Sequence, residues 1–130
     1  MNRLLKLTSI IEAATGLALM AVPSVVVRLL LGGEISSASV PLGRVGGFAL
    51  LSLAMACWPR RDPDGDGASA VGAMLTYNSL ATLYLLCLGI GGEWVGLLLW
   101  PAVALHGILS LLLARQWRLG NTGPKGRAST

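Results

Sequence analysis

Residues 4–22 read LLKLTSIIEAATGLALMAV and set the kind of structure that this chain can form. The stretch is long and apolar enough to cross a bilayer, which takes about 20 predominantly apolar residues in a helix. Glu12 lies inside it, where a carboxylate is costly unless it is paired, protonated or facing a water-filled cavity. We therefore expect a membrane-spanning helix whose Glu12 side chain points into a helical bundle.

The composition of the whole chain indicates that lipid is its solvent. Of its 130 residues, 54% are hydrophobic and only 12% are charged, whereas soluble domains have about 25% charged residues. The length accommodates about four spans of about 20 residues and leaves no room for a soluble catalytic domain. The net charge of +4 falls mostly in loops and ends, so it indicates membrane orientation and not nucleic-acid binding.

Breaks in the apolar pattern divide the chain into predicted membrane spans. The predicted fold is all-α, a polytopic membrane protein with four transmembrane helices in an up-down-up-down bundle over residues 1–118. A disordered basic cytoplasmic tail follows over 119–130. Pro23 should break or kink the first span and Pro101 the fourth, and a Gly-x-x-x-Gly pair at Gly43 and Gly47 favours close helix packing. The predicted spans are about 5–22 with an extension to 31, 40–58, 70–88 and 94–114.

Lys and Arg are distributed unequally between the two sides of this bundle. Of the 10 basic residues, eight fall on the side that holds both termini, and only Arg28 and Arg44 fall on the other. Cytoplasmic loops carry the excess of positive charge in membrane proteins. We therefore expect a multi-pass protein of a bacterial inner (plasma) membrane with both termini in the cytoplasm.

Each predicted span places one polar side chain at a similar depth. At about 1.5 Å per residue, these side chains lie roughly 9–12 Å from the cytoplasmic end. Ionisable groups should point into the bundle, because exposing them to lipid is costly. We predict an intramembrane polar layer, a candidate ligand or proton site, and a second polar level nearer the outer face. The layer comprises Glu12, Ser52, Asn78 and His106, and the second level Arg44 and Tyr84.

Two roles are open to the polar layer. A buried hydrogen bond from Glu12 to His106 or Asn78 can simply fix the register of the helices. The same groups can instead relay protons or bind a ligand, as ionisable residues within spans commonly do. Replacing Glu12 by Gln separates the two roles, because an amide forms hydrogen bonds but does not titrate.

Metal sites have only incomplete signals. The turn at Asp62, Asp64 and Asp66 matches the first half of an EF-hand loop, but Ala73 stands where the closing Glu is needed. We therefore expect a solvated acidic turn and at most a weak divalent-ion site. One histidine and two separated thiols do not make a zinc site, and a haem would need a second axial ligand. No cofactor is expected.

The remaining reactive side chains do not indicate an enzyme. Cys57 and Cys87 should lie roughly 20 Å apart in depth, too far for a disulfide, and are best interpreted as small buried hydrophobic residues. Ser110 lies one turn from His106, but no glycine elbow or oxyanion loop accompanies the pair. We expect no autonomous enzyme activity.

One short stretch resembles a transporter family. Ile10-Ile11-Glu12, followed by Gly16, resembles the first-span Glu region of the small multidrug resistance family. The resemblance implies a proton-coupled small-molecule transporter that works through Glu12. The chain departs from that family in lacking its third-span aromatic and glycine signature and in its strong charge bias.

A looser resemblance covers most of the chain and is carried by scattered residues of all but the third span. These residues are Glu12, Thr15-Gly16-Leu17, Pro23, Gly43-Arg44-Val45-Gly46-Gly47, Trp58 and Trp100-Pro101. The pattern is similar to small bacterial four-helix membrane proteins of the DoxX-like group, some of which are membrane partners of redox modules. We expect the chain to lie in the lipid bilayer and to bind a lipid-like, quinone-like or membrane-protein partner, or further copies of itself. The alternative function is the proton-coupled transporter that works through Glu12.

Overall fold

The computed structural model describes residues 2–33, 36, 39–59, 67–93 and 95–121. Helices make up 88% of them, and no strand occurs within these ranges. The helices are α1 (Asn2–Ala21), α2 (Pro23–Leu31), α3 (Ser39–Ala56), α4 (Gly67–Gly91) and α5 (Leu99–Asn121). The predicted all-α class is confirmed.

Four of the helices are long and apolar enough to cross a membrane. Their mean hydropathy lies between 1.2 and 1.5 over Arg3–Ala21, Ser39–Ala56, Gly67–Gly91 and Leu99–Leu119. The four predicted spans thus correspond to α1, α3, α4 and α5. The remaining helix, α2, is 9 residues long and too short to cross.

The first apolar stretch is broken where the sequence predicts it. Val22 has a non-helical backbone (φ −137°, ψ 58°), and Pro23 occupies the first turn of α2, where its missing N–H is not needed. Helix α2 ends at Gly32, which has φ 75° and donates its N–H to the carbonyl of Arg28. Glycine adopts this left-handed conformation without a Cβ clash.

Close glycine contact joins α1 to α3. The α1–α3 pair and the α4–α5 pair have the two most extensive helix–helix contacts. A Cβ added to Gly16 would lie 2.8 Å from the carbonyl oxygen of Gly47, and one added to Gly47 would lie 2.6 Å from that of Gly16. A Cβ added to Gly43 would lie 2.9 Å from Pro23. Gly47 of the predicted glycine pair therefore packs against α1, and Gly43 packs against the first residue of α2.

A small apolar core closes one end of the bundle. It joins the start of α1, the region just after α3, the start of α4 and the end of α5 through Leu5, Cys57, Val71, Met74 and Leu113. At the other end, the backbone N–H groups of Gly96 and Leu98 donate to the carbonyls of Leu30 and Leu29, at 3.0 and 2.8 Å. The turn before α5 is thus held against α2.

Several sequence predictions need correction at the ends of the helices. Helix α5 begins at Leu99 and not at residue 94, so Pro101 lies in its first turn and does not kink the span. The same helix runs to Asn121, so residues 119–121 are helical and not part of a disordered tail; residues 122–130 lie outside the described residues.

The two cysteines differ in their surroundings. Both are free thiols, as predicted. Cys57 is buried in the apolar core, but Cys87 is exposed on α4, so the prediction that both are buried is wrong for Cys87. The acidic turn with Asp62, Asp64 and Asp66 lies outside the described residues.

Candidate functional site

Three helices bring polar side chains together between the α1–α3 pair and the α4–α5 pair. Glu12 comes from α1, Asn78 from α4 and His106 from α5. Glu12 and Asn78 have 0% of their surface exposed, and the His106 side chain has 12%. The structure therefore gathers three of the four predicted layer residues, Glu12, Asn78 and His106, into one group, the polar cluster.

The shortest contact in the polar cluster joins Asn78 and His106. Nδ1 of His106 lies 2.8 Å from Oδ1 of Asn78, while Nδ2 of Asn78 donates to the carbonyl of Met74 at 2.9 Å. This orientation of the amide makes Oδ1 the acceptor, so Nδ1 of His106 carries the hydrogen and donates it. In the neutral ring, Nε2 is then the acceptor. Asn78 thus sets the tautomer of His106.

Glu12 approaches the same imidazole ring without a hydrogen bond. Its Oε1 lies 4.0 Å from Nδ1 of His106, whose hydrogen is directed to Asn78. The side chains of Tyr77 and Asn78 also lie close to the carboxyl, yet within the described residues neither Glu12 oxygen has a partner in hydrogen-bond geometry. Buried polar groups rarely lack partners, and each unsatisfied one costs on the order of 1–3 kcal/mol. The Glu12 carboxyl therefore lacks an aligned hydrogen bond among the described residues, while Tyr77 and Asn78 lie close enough to interact with it.

Tyr77 borders the polar cluster and was not assigned to the layer from the sequence. Its ring meets the His106 ring edge to face, with the centroids 6.0 Å apart and an angle of 80° between the planes. Tyr77 precedes Asn78, so the two side chains point about 100° apart around α4. Both still reach the junction with α1 and α5, and this adjacency to Asn78 was the available sequence signal.

Nearby hydroxyl groups are satisfied by their own helices. Thr8 donates to the carbonyl of Leu4 at 2.8 Å, and Ser110 donates to the carbonyl of His106 at 2.8 Å. Thr8 is fully buried, and it lies one turn before Glu12, on the face that the sequence predicts to point inward. Because its hydrogen is already used, it does not supply the missing partner of the Glu12 carboxyl.

The other predicted site residues lie apart from the polar cluster. Ser52 is exposed on α3, and its hydroxyl donates to the carbonyl of Phe48 at 2.8 Å. Its predicted place in the layer is wrong, because α3 packs mainly on α1 and turns this side chain outward. Arg44 and Tyr84, the predicted second level, are both exposed, on α3 and α4.

The chemistry available to the polar cluster is hydrogen bonding and proton exchange. The carboxyl of Glu12 offers two oxygens that have no partner in hydrogen-bond geometry within the described ranges, and His106 offers Nε2 as an acceptor. In the described part of the chain, no group of three or more His, Cys, Asp or Glu side chains is placed to hold a metal ion. The cluster is therefore best interpreted as a buried polar contact point between helices.

Comparison with known proteins adds no family to this description. The chain matches no protein-family model, no curated protein and no solved structure. The fold and the site define a class only: a helical protein with four helices able to cross a membrane and a polar cluster buried between them. The resemblances to the small multidrug resistance family and to the DoxX-like group stay predictions.

Proposed function

We propose that this protein is a non-enzymatic, multi-pass membrane component that binds a lipid-like, quinone-like or protein partner through its polar cluster. The observation that carries the proposal is the Glu12 carboxyl, which is fully buried and, although Tyr77 and Asn78 lie close to it, has no partner in hydrogen-bond geometry among the described residues. Inside a bilayer no bulk water supplies the missing partner. A ligand that carries a hydrogen-bond donor would satisfy it.

The outer surface supports a lipid environment. Large apolar side chains are widely exposed on it, among them Leu97 (81%), Leu111 (74%) and Ile90 (74%). A soluble monomer rarely exposes extended apolar surface, whereas lipid chains solvate it. The exposed apolar residues are distributed over all of the long helices, as expected of a bundle surrounded by lipid.

The charges at the two ends support one orientation. Arg3 and Lys6 begin α1, and Arg115 and Arg118 lie in the last turns of α5, at the end that holds the apolar core. Because positive charge marks the cytoplasmic side, we place both termini in the cytoplasm and the protein in a bacterial inner membrane. A periplasmic reporter fused to the C-terminus should then be inactive.

The geometry of the polar cluster favours a slender amphiphile over a protein segment as the partner. Glu12 and Asn78 are completely enclosed by helices, so a ligand reaches them only when α1 moves away from α4, and a small head group requires the least movement. The unpartnered carboxyl oxygens accept hydrogen bonds when ionised, which suits a hydroxyl head such as that of a quinol or a lipid alcohol. The apolar body of such a molecule would remain among the helices.

Native mass spectrometry of the protein in nanodiscs tests this proposal. The wild type should retain a small molecule from a membrane extract, and Glu12→Leu should lose it because the carboxyl is gone. Ser52→Ala is the matched control, since it removes an exposed hydroxyl that lies apart from the cluster. Retention of the same bound mass by Glu12→Leu would contradict the proposal.

A proton-coupled transporter is the second candidate, and the packing of the helices favours it. Helix α1 contacts α3 extensively but contacts α4 and α5 only sparsely, and Glu12 lies at this sparse junction. Two helix pairs that meet weakly can separate more readily than a uniformly packed bundle. Adding tetraphenylphosphonium to the detergent-solubilised protein should release protons, and Glu12→Gln should abolish the release. Absence of release from the wild type would exclude this candidate.

A further inference from the structure

A groove lies between α1 and α3, apart from the contact between Glu12 and His106. Its volume is about 350 Å³, and it is lined by Ser9, Ala13, Ala54, Met55 and Trp58. Ligand pockets measure about 300–1,000 Å³, so this groove suits a compact ligand. None of the lining residues carries a charge, so a phosphate or an ammonium head group would find no ionic partner among them.

The hydroxyl of Ser9 is unusual among the helical hydroxyls. Ser9 is fully buried, yet its Oγ has no hydrogen-bond partner within the described residues. Six other hydroxyls donate to the carbonyl four residues earlier: those of Thr8, Thr15, Ser52, Thr76, Thr82 and Ser110. Ser9 does not form this bond and instead lines the groove. A buried donor without an acceptor is unfavourable, so the groove is incomplete without one.

We propose that this groove binds a compact neutral lipophile that carries a carbonyl or ether oxygen. The oxygen accepts the hydrogen of Ser9 Oγ, which the ligand reaches by widening the groove because Ser9 is fully buried. The apolar body of the ligand packs against Ala13, Ala54 and Met55. Trp58 lies just beyond the end of α3 and is 45% exposed. Its indole lines the groove near the end of the helix, where amphipathic rings favour the membrane interface. This inference rests on the proposed binding function and adds a second surface to it.

Photolabelling tests the site directly. The probe is a para-hexyl benzophenone, which is neutral, carries one ketone oxygen and, on irradiation, inserts its carbonyl carbon into a nearby C–H bond to give a tertiary alcohol. The protein is labelled in phospholipid nanodiscs and digested, and the modified peptides are identified by mass spectrometry. Labelling should saturate and should map to the peptide that contains Ala54, Met55 and Trp58.

Variants of the groove should change the labelling in a defined way. Ser9→Ala should raise the half-saturating concentration about threefold to tenfold, the effect of losing one neutral hydrogen bond. Ala13→Leu fills the groove and should abolish saturable labelling, whereas Ala14→Leu is the matched control on the exposed face of the same helix. Para-hexyl diphenylmethane, which lacks the oxygen, should compete about threefold to tenfold less well than the ketone for the unmodified protein, so the proposal is tested even if a variant fails to fold.

Three outcomes would overturn the proposal. Labelling that does not saturate would mean that bulk phospholipid chains fill the groove. Equal half-saturation for Ser9→Ala and the wild type, or equal competition by the hydrocarbon and the ketone, would mean that Ser9 does not bind the oxygen. The binding of a ligand at the polar cluster is tested separately from the groove. Glu12→Leu should remove the mass bound at the polar cluster but leave saturable photolabelling of the groove intact.

Discussion

Replacing Asn78 by Leu tests the arrangement of the polar cluster most directly. The Asn78 side chain is fully buried and accepts a hydrogen bond from Nδ1 of His106. In Asn78→Leu the buried N–H of His106 loses its acceptor, and an orphaned buried donor costs about 1–3 kcal/mol. The backbone carbonyl of Met74 keeps its helical hydrogen bond, so it adds little to this cost. We expect the free energy of unfolding to fall by about 1–3 kcal/mol.

The double variant separates the hydrogen bond from the other effects of each substitution. Asn78→Leu combined with His106→Phe leaves neither side chain orphaned, so the double variant should lose less stability than the sum of the singles. The difference should be about 0.6–1.5 kcal/mol, the range for a hydrogen bond between helices in a membrane or a protein interior. The same cycle with Glu12→Leu and His106→Phe should give a coupling energy below about 0.5 kcal/mol. The reason is that Oε1 of Glu12 and Nδ1 of His106 are 4.0 Å apart and no hydrogen bond joins them.

The assay is reversible unfolding in mixed micelles of dodecylmaltoside and sodium dodecyl sulfate, followed by far-ultraviolet circular dichroism. The wild type, the single variants and both double variants are measured under identical conditions. Additive losses for Asn78 and His106, within about 0.3–0.5 kcal/mol, would refute the hydrogen bond. A larger coupling of His106 to Glu12 than to Asn78 would refute the geometry of the cluster as a whole.

Three further predictions concern other parts of the chain. Gly47→Ala should reduce the free energy of unfolding by about 1–3 kcal/mol, because its new Cβ would overlap Gly16. Gly46→Ala is the control, since nothing is described within 4 Å of its added Cβ, and it should leave stability unchanged or raise it. Equal effects of the two substitutions would contradict this packing. Isothermal titration should show no calcium binding tighter than about 10⁻⁴ M, because the acidic turn lacks a closing Glu; micromolar binding would overturn this. Truncation after Asn121 should leave thermal stability in detergent unchanged, since the removed residues are mostly polar, and a large loss would show that they dock on the bundle.

The sequence alone determined the all-α class and the approximate positions of the four long helices. Apolar stretches of about 20 residues indicate helices that are able to cross a membrane, and the four such stretches correspond to α1, α3, α4 and α5. Pro23 marked the break between α1 and α2, because a proline ring is accommodated at the start of a helix and disrupts the middle of one. Pro101 follows the same rule, but the sequence did not show that α5 begins only at Leu99.

Part of the polar cluster was also predictable. Depth along a span follows from residue counting, since each helical residue advances about 1.5 Å, so Glu12, Asn78 and His106 were expected at one level. Counting does not determine which way a helix is rotated about its axis. Ser52 was expected at the same depth, but it points outward from α3, because the contact of Gly47 with Gly16 determines which face of α3 meets α1.

Only the tertiary structure decided which polar groups are satisfied. Hydrogen bonds depend on differences of a few tenths of an ångström and on direction, and these arise from packing along the whole length of several helices. The packing places Nδ1 of His106 2.8 Å from Oδ1 of Asn78, within hydrogen-bond distance. It leaves Oε1 of Glu12 4.0 Å from the same nitrogen. It also leaves Ser9 without an acceptor among the residues that the structure describes, although Thr8 beside it donates to its own helix. Residue types and spacing do not distinguish these neighbours, because the difference lies in how α1 packs against α3, α4 and α5.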